Sequence, residues 1–280
     1  MLRLGQVADR IALYFCRVWG LLRPSAWSNR IARLMSENTL TVVDGDSNYT
    51  FIASMPLLRW RALTALSKEP ATVTWIRSMT DQDCLWDIGA NIGTYSIIAG
   101  SVCGKVIAFE PEGGNFSVLN RNIAINNLAE KVIAYPIAVA ASEGFDSLRL
   151  HSIEPGAALH SFGTNLDVAK RLFVPKYCQG VFSTTIDELV YKWGLEFPTH
   201  VKIDVDGLEA MILAGAIRTL GDNRLRGLLV EINEMLSSDL ELITWLESLG
   251  YQIKAKGDMV QDEAGSLRMR NYILEKRIPD

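Results

Sequence analysis

The chain has 280 residues, of which 49% are hydrophobic and 21% are charged, and these proportions are typical of a folded globular protein. Its formal net charge of −4 gives it no overall attraction for phosphate backbones, which argues against nucleic acid as its partner. The four cysteines form no C-x-x-C pair, and no apolar stretch is long enough to span a bilayer, so the cytoplasm is the expected compartment.

An amphipathic helix is the first predicted element, and it ends at Pro24. Its apolar stripe repeats every three or four positions, at Leu4, Val7, Ile11, Tyr14, Val18 and Leu21. Three surfaces would bury such a stripe: the body of the protein, a second copy in a homodimer, or a membrane surface. Residues 39–53 then predict a β-hairpin, and residues 1–67 together are interpreted as an N-terminal helical and hairpin extension.

From residue 84 onward, short apolar runs alternate with helical segments, which is typical of a parallel sheet with crossover helices. Strands are predicted near residues 84–88, 105–109, 132–137, 200–205 and 226–232. Helices are predicted near residues 57–67, 71–79, 93–102, 114–127, 186–193, 207–220 and 239–249. Helix starts are marked by the capping boxes Thr185-x-x-Glu188 and Ser238-x-x-Glu241, and more weakly by Asp206-x-x-Glu209.

The main domain is predicted to cover residues 68–280. Its last two β-rich runs, YQIKAK and NYILEKR, predict an antiparallel hairpin at the edge of the sheet. A long insertion at about residues 151–182 is rich in turn residues and aromatics. Structureless stretches of that length within compact domains are usually functional, so this one is interpreted as a cover over the site.

Acidic residues stand at the carboxyl ends of four predicted strands, where an open α/β sheet binds its ligand. They are Asp87, Glu110, Asp204 with Asp206, and Glu231. The stretch WDIGANIG, residues 86–93, differs from the dinucleotide fingerprint G-x-G-x-x-G, because Asn91 stands where a pyrophosphate needs glycine. Asp87 would repel a phosphate but suits an ammonium group. Glu110 can accept both hydroxyls of a ribose. Asn91 and Asp87 disfavour a phosphate, so the expected cofactor is S-adenosylmethionine, which has no phosphate.

Five segments, in this order and spacing, resemble the FkbM-type family of S-adenosylmethionine-dependent methyltransferases over roughly residues 68–250: WDIGANIGTYSIIAG, VIAFEPEGGNFSVLNRNIAIN, TTIDELV, VKIDVDGLEAMILAGA and LLVEIN. The resemblance implies an α/β, Rossmann-like class I methyltransferase fold with a seven-stranded, mostly parallel sheet whose last strand is antiparallel. It also implies methyl transfer to oxygen, most often to a hydroxyl of a sugar or secondary metabolite. The segment KEPATVTWI resembles a subgroup associated with surface-polysaccharide biosynthesis.

The same resemblance implies a set of site residues. Those matching the cofactor-binding positions of the family are Asp87, Gly89, Asn91, Gly93, Glu110 and Asn115. The K-I-D-V-x-G-x-E motif of the family is represented by Lys202, Asp204, Asp206, Gly207 and Glu209. Lys202 and Asp206 are expected to position the substrate, and a purely structural Lys202–Asp204 ion pair is the alternative.

Methyl transfer to an alcohol needs a general base for the hydroxyl proton. Asp204 is the first candidate, Glu231 the second, and His160 in the insertion the third. A less favoured alternative is that Asp204, Asp206 and Glu231 hold Mg²⁺, which prefers oxygen ligands.

The favoured function is therefore an O-methyltransferase that acts on a hydroxyl of a saccharide or glycosylated metabolite, and its expected partner is a small-molecule or glycan acceptor. Two alternatives stay open. One is a nicotinamide-dependent oxidoreductase on the same architecture, and the other is a non-catalytic cofactor-binding scaffold.

Overall fold

The computed structural model describes residues 38–261 and 267–277. The predicted N-terminal helix lies outside the described residues, and so does the proposed homodimer or membrane contact through its stripe. Among the described helices, none is long and apolar enough to cross a membrane. The predicted hairpin at residues 39–53 is confirmed as the antiparallel pair β1 (Thr39–Asp44) and β2 (Ser47–Ile52).

The main sheet is mostly parallel, as predicted, and seven strands lie on its path. Its parallel strands are β3 (Cys84–Ile88), β4 (Lys105–Phe109), β5 (Val132–Tyr135), β10 (His200–Ile203) and β11 (Gly227–Asn233). The remaining strands are β12 (Tyr251–Lys256), the short β13 (Val260–Gln261) and β14 (Arg268–Lys276). The order of the seven is β12-β14-β11-β10-β3-β4-β5. Strand β14 is antiparallel to both neighbours and lies between β11 and β12, so only β12 of the predicted hairpin is at the edge.

Helices cover both faces of this sheet. In chain order they are α1 (Pro56–Leu63), α2 (Pro70–Arg77), α3 (Thr94–Gly100), α4 (Gly113–Ile125), α5 (Ile186–Tyr191), α6 (Glu209–Ala214), α7 (Ile217–Gly221) and α8 (Ser237–Ser248). The predicted helix at 207–220 is wrong as one unit. The chain bends at Gly215, where a Cβ would lie 2.7 Å from the carbonyl oxygen of Ala140.

The predicted capping signals have different outcomes. The Thr185–Glu188 capping box is confirmed. The Ser238 box is wrong, because the N-cap of α8 is Leu236, two residues earlier, and no side chain caps the helix. The Asp206–Glu209 signal is also wrong, since Asp206 accepts an amide from the insertion rather than from α6.

Alternation along the buried strands fills both faces of the main sheet with apolar side chains. Trp86 and Ile88 pack on one face, and Leu85 packs on the other. Residues of the hairpin and α1, among them Phe51 and Ala62, belong to the same core cluster as Leu85. The described part of the N-terminal extension therefore packs directly on the main domain, and the boundary at residues 67/68 stays a prediction.

The insertion contributes to a second sheet that the sequence did not predict. Its four strands are β6 (Ala138–Val139), β7 (Gly144–Leu150), β8 (Ser161–Phe162) and β9 (Tyr177–Thr184), in the order β6-β9-β7-β8. Residues 151–182 are therefore not wholly structureless. The sequence pattern of β7 predicts a strand only weakly, because Leu148 and Leu150 are its only buried apolar side chains, while Phe145 is 88% exposed.

Candidate functional site

A cleft opens at the carboxyl ends of β3, β4, β10 and β11, where the strand-end acids predicted a site. It contains about 930 Å³ of space, including its open mouth. Most of the predicted site residues line it: Gly89, Asn91, Glu110, Asn115, His160, Asp204, Asp206 and Glu231. Asp87, Gly93 and Lys202 lie near it but do not line it.

The turn after β3 requires a left-handed backbone at three alternate positions. The φ angles are 81° at Gly89, 52° at Asn91 and 83° at Gly93. Asparagine is one of the few residues other than glycine that adopts this conformation readily, which explains Asn91. A Cβ at Gly89 would lie 2.0 Å from the carbonyl oxygen of Asp204, so this glycine lets the turn pack against the end of β10.

The amide N–H groups of residues 89–93 all have acceptors within the protein. The acceptors are the carbonyl oxygen of Phe109 for Gly89 and Ala90, Glu110 Oε2 for Asn91, Asn91 Oδ1 for Ile92, and the carbonyl oxygen of Ala90 for Gly93. A dinucleotide loop, in contrast, directs backbone amides at a pyrophosphate. The amides of this turn are therefore committed to the fold and not to a phosphate.

Glu110 is held rigidly at the end of β4. Its Oε2 accepts the amide of Asn91 at 2.7 Å, and its Oε1 accepts the amide of Glu112 at 2.8 Å. Burial raises the pKa of Glu110 to about 7, and these two amides oppose that rise. Each carboxylate oxygen retains a second lone pair, so the group can accept two adjacent hydroxyls from the cleft.

An apolar slot adjoins Glu110 in the same cleft. Its walls come from the ends of β4 and β5 and from the second sheet: Phe109, Ile137, Val139, Leu148 and Phe162. A flat heteroaromatic ring suits such a slot, because it buries apolar area on both faces. The slot and the acid together match the adenine and ribose of a nucleoside.

Asp87, Lys202 and Asp204 form an ion triad behind the cleft. Lys202 is opposite Asp87 in the register of β10 and β3, so both side chains project to the same face. The Lys202 Nζ lies 3.5 Å from Asp87 Oδ1 and 2.9 Å from Asp204 Oδ2. Asp87 is fully buried and its Oδ2 accepts the hydroxyl of Ser96 at 2.6 Å. Asp87 contacts the ammonium group of Lys202. A contact between Asp87 and the cofactor stays a prediction.

The acids at the cleft differ in charge state. Burial opposes ionisation of Asp204, but the cations Lys202, Lys68 and Arg61 together hold the pKa of Asp204 below its usual value. Burial, and then the charges of Asp204 and Asp206, raise the pKa of Glu231 well above its usual value. Burial and Asp204 raise the pKa of Asp206 to about 6. The surroundings therefore favour the ionised form of Asp204 and the protonated form of Glu231.

Residues 156–159 of the insertion, called the cover segment below, are tied to the edge of the cleft by side chains. Asn115 accepts the amide of Gly156 at 2.6 Å, and both Asn115 and Asn91 donate to the carbonyl of Ala157, at 3.1 and 2.7 Å. Asp206 Oδ2 accepts the amide of Leu159 at 2.6 Å. Three predicted site residues thus hold the cover segment at the cleft, which Ala157 and Ala158 line. The function of the whole insertion as a cover stays a prediction.

His160 follows the cover segment and presents a hydrogen-bond donor. Its Nδ1 accepts the amide of His151 at 3.3 Å, which places the ring hydrogen of the neutral form on Nε2. Burial lowers the pKa of His160 and favours this neutral form. Nε2 is buried without a hydrogen-bond partner among the described residues. In this tautomer Nε2 carries a hydrogen and can act only as a donor, whereas a general base would need Nε2 unprotonated.

Arg61 and Lys68 also line the cleft, and neither was predicted from the sequence as a site residue. Arg61 lies in α1, Lys68 precedes α2, and both extend over a side pocket next to Gly89 and Asn91. Burial lowers the pKa of Arg61. Burial also opposes the charge of Lys68, but Glu69 and Asp204 together raise the pKa of Lys68 above its usual value. Arg61 belongs to no motif, and Lys68 begins the segment KEPATVTWI without matching a site position, so only their charge could have indicated them.

The three acids of the Mg²⁺ hypothesis, Asp204, Asp206 and Glu231, share the cleft. Over residues 38–261 and 267–277, no group of three or more His, Cys, Asp or Glu side chains is arranged to hold a metal ion.

The family model described as "Methyltransferase FkbM domain" matches residues 87–253, which is more than half of the chain. One curated relative is the hexuronic acid methyltransferase AglP of Haloferax volcanii, to which the chain is 29% identical over 161 residues. That match covers 58% of this chain and 61% of AglP, so the chain matches only about three fifths of the length of this relative.

Solved structures with a similar arrangement of elements include a methyltransferase FkbM from Methylobacillus flagellatus. It is 18% identical, with a TM-score of 0.45, over 70% of this chain and 44% of that protein. Another is a Streptococcus pneumoniae putative tRNA (m1A22) methyltransferase in complex with S-adenosyl-L-methionine. It is 14% identical, with a TM-score of 0.44, over 75% of this chain and 72% of that protein.

The hydrogen bonds to the cover segment give a testable prediction. Replacing Asn115 with Ala should speed hydrogen exchange at the amide of Gly156 about tenfold, because a buried hydrogen bond contributes about 1–3 kcal/mol. Asp206→Ala should act in the same way at the amide of Leu159. Exchange is measured at single amides by NMR.

Asn120→Ala is the matched control, because Asn120 lies on the same helix as Asn115 but donates to Phe116 of that helix. It should leave both amides unchanged. A uniform acceleration across the chain, or no change at Gly156 and Leu159, would contradict the assigned anchoring.

Proposed function

The chain belongs to the FkbM methyltransferase family, and on that basis we propose that it transfers a methyl group from S-adenosylmethionine to a hydroxyl oxygen of a saccharide or glycosylated metabolite. The cleft carries this proposal. It combines an apolar slot, a rigid acid for ribose hydroxyls, and a set of cations and carboxylates for an amino-acid group. A saccharide acceptor is supported by the relative AglP, whose name states a hexuronic acid as its substrate.

The oxidoreductase alternative is less well supported by the same cleft. A nicotinamide dinucleotide brings a pyrophosphate, but the amides of residues 89–93 are already bonded and four acids line the cleft. A non-catalytic scaffold would not need two carboxyl groups whose pKa values are shifted in opposite directions, as those of Asp204 and Glu231 are.

We further propose a cytoplasmic setting and a role in surface-polysaccharide biosynthesis. Cys84, Cys103 and Cys178 carry free thiols, as a reducing compartment would allow. A glycan or other small molecule, rather than nucleic acid, is the proposed partner.

Arg61 and Lys68 are the groups that we assign to the carboxylate of the cofactor's amino acid. Both line the cleft and the side pocket beside Gly89, where an extended ligand would continue beyond its ribose. Asp204 lines both spaces as well, and only its Oδ2 contacts Lys202 in the ion triad. Asp204 Oδ1 is therefore our candidate acceptor for the cofactor's ammonium group, in the role predicted for Asp87.

Methyl transfer to a hydroxyl is an in-line displacement. When bound, S-adenosylmethionine supplies an electrophilic methyl group, whose carbon–sulfur bond breaks toward sulfur as the acceptor oxygen forms its bond to carbon. Glu231 takes the hydroxyl proton, since its raised pKa gives it a higher proton affinity than Asp204. The ionised form of Glu231 would be favoured by the positive sulfonium of a bound cofactor, and this prepares Glu231 to act as the base. Glu231 thus ranks before Asp204, the reverse of the order expected from the sequence.

The function is tested by incubating the protein with methyl-labelled S-adenosylmethionine and a panel of free oligosaccharides, sugar nucleotides and lipid-linked glycans. Label should appear on a saccharide oxygen, and calorimetry should detect S-adenosylhomocysteine but not NAD. Binding of NAD alone would favour the oxidoreductase. Transfer of label only to protein or nucleic acid would contradict the proposed acceptor.

Lys68→Met should lower the affinity for S-adenosylhomocysteine about tenfold or more, because a charge-assisted hydrogen bond contributes about 1.5–3 kcal/mol. It should leave 5′-methylthioadenosine, which lacks the amino-acid group, unaffected. Both affinities are measured by calorimetry. Lys105→Met, at the other end of β4, is the control and should change neither. An equal loss for both ligands would refute the assignment of Lys68.

Glu231→Gln should lower kcat by roughly 10²–10⁴-fold, the usual contribution of general-base catalysis, while S-adenosylhomocysteine binds as before. The kcat of the unmodified protein should rise with pH as Glu231 ionises, through a pKa above the ordinary glutamate value, and this rise should vanish in the variant. Asp204→Asn should instead weaken ligand binding. A pH profile that survives in Glu231→Gln would exclude Glu231 as the base.

A further inference from the structure

A second cavity lies against the cleft and is separated from the apolar slot by the acids and the cover segment. It contains about 990 Å³ of space, including its mouth. The two spaces share five side chains: Arg61, Lys68, Ala158, Asp206 and Glu231. A molecule in the second cavity would therefore reach Glu231, which also lines the cleft.

The lining of the second cavity suits a sugar ring. Trp60 is 47% exposed and offers an aromatic face. Asn271 is opposite Glu231 in the register of β11 and β14, so the two side chains are neighbours on one face. Asn271 is only 7% exposed, and its Oδ1 is buried without a partner among the described residues. Hydroxyl groups of a ligand would satisfy this acceptor, which is costly to leave unpaired.

Excess positive charge lies at one side of the cavity. Arg270 lines it, and its Nε is a second buried polar atom for which the described residues provide no partner. Arg268 and Arg270 share one carboxylate, Glu234, at 3.8 and 3.4 Å. The ammonium of Lys256 lies near the same group, 3.0 Å from the hydroxyl of Tyr272.

Four carboxyl groups also line the cavity. Glu69 is paired with Lys68, and Asp206 accepts the amide of Leu159. Burial and the neighbouring carboxylates raise the pKa of Glu231 well above its usual value, and Asp258 is exposed at the rim. Among the described residues, none of these four carboxyl groups forms an ion pair with Arg270, which shares Glu234 with Arg268.

We propose that the second cavity is the acceptor site and that it selects an acidic saccharide. The carboxylate of the sugar pairs with Arg270, the ring lies against Trp60, and one hydroxyl reaches Glu231. This inference rests on the proposed methyl transfer and adds the place and the charge of the acceptor.

The test compares methyl β-glucuronide with methyl β-glucoside, which differ in the carboxylate, on protein saturated with S-adenosylhomocysteine. Saturation-transfer NMR should show markedly stronger binding of the uronide. Arg270→Gln should reduce the uronide signal to that of the glucoside. Arg268→Gln removes the same charge from the same Glu234 partner, but Arg268 does not line the cavity, so this variant should keep the preference.

Equal binding of the two sugars, binding of neither, or the same loss in both arginine variants would overturn the proposed site. Calorimetry with S-adenosylhomocysteine on all three proteins keeps the two hypotheses separate. If the unmodified protein does not bind it, the proposed methyltransferase function fails, whereas normal binding with no uronide preference refutes only the acceptor site.

Discussion

The buried ammonium of Lys202 is the interaction on which the candidate site depends. It lies between Asp87 and Asp204 in the centre of the main sheet, where an unpaired charge would be very unfavourable. Removing one partner of such a buried group commonly costs about 3–5 kcal/mol, so the three residues form one unit. The unit fixes Asp204 at the mouth of the cleft and holds it ionised.

That fixed negative charge separates the roles of the neighbouring acids. Asp204 opposes ionisation of both Glu231 and Asp206, and each keeps a raised pKa. Two carboxyl groups with divergent pKa values in one site can serve different tasks, one as a permanent charge and one as a proton acceptor. Lys202 therefore acts on the proposed chemistry indirectly, because it determines which acid can take a proton.

The order of strands and the position of the cleft could be predicted because both depend on local patterns. Apolar runs indicated β3, β4, β10 and β11, and the acids at their ends indicated where the ligand binds. The partners of those residues could not be predicted in the same way. Lys202 meets Asp87 through a register between strands 115 residues apart in the sequence, and Asn115 meets the cover segment 41 residues later. Arg61 and Lys68 carry no periodic signal at all.

The cover segment makes the two cavities mechanically dependent on each other. The carbonyl of Ala157 accepts hydrogen bonds from Asn91, in the turn after β3, and from Asn115, at the start of α4. The next residues, Ala158 and Leu159, line the second cavity. These hydrogen bonds therefore connect the turn at the proposed cofactor site with a wall of the proposed acceptor site. Asp206 accepts a hydrogen bond from the other end of the segment, so an acid of the cleft also holds that wall in place.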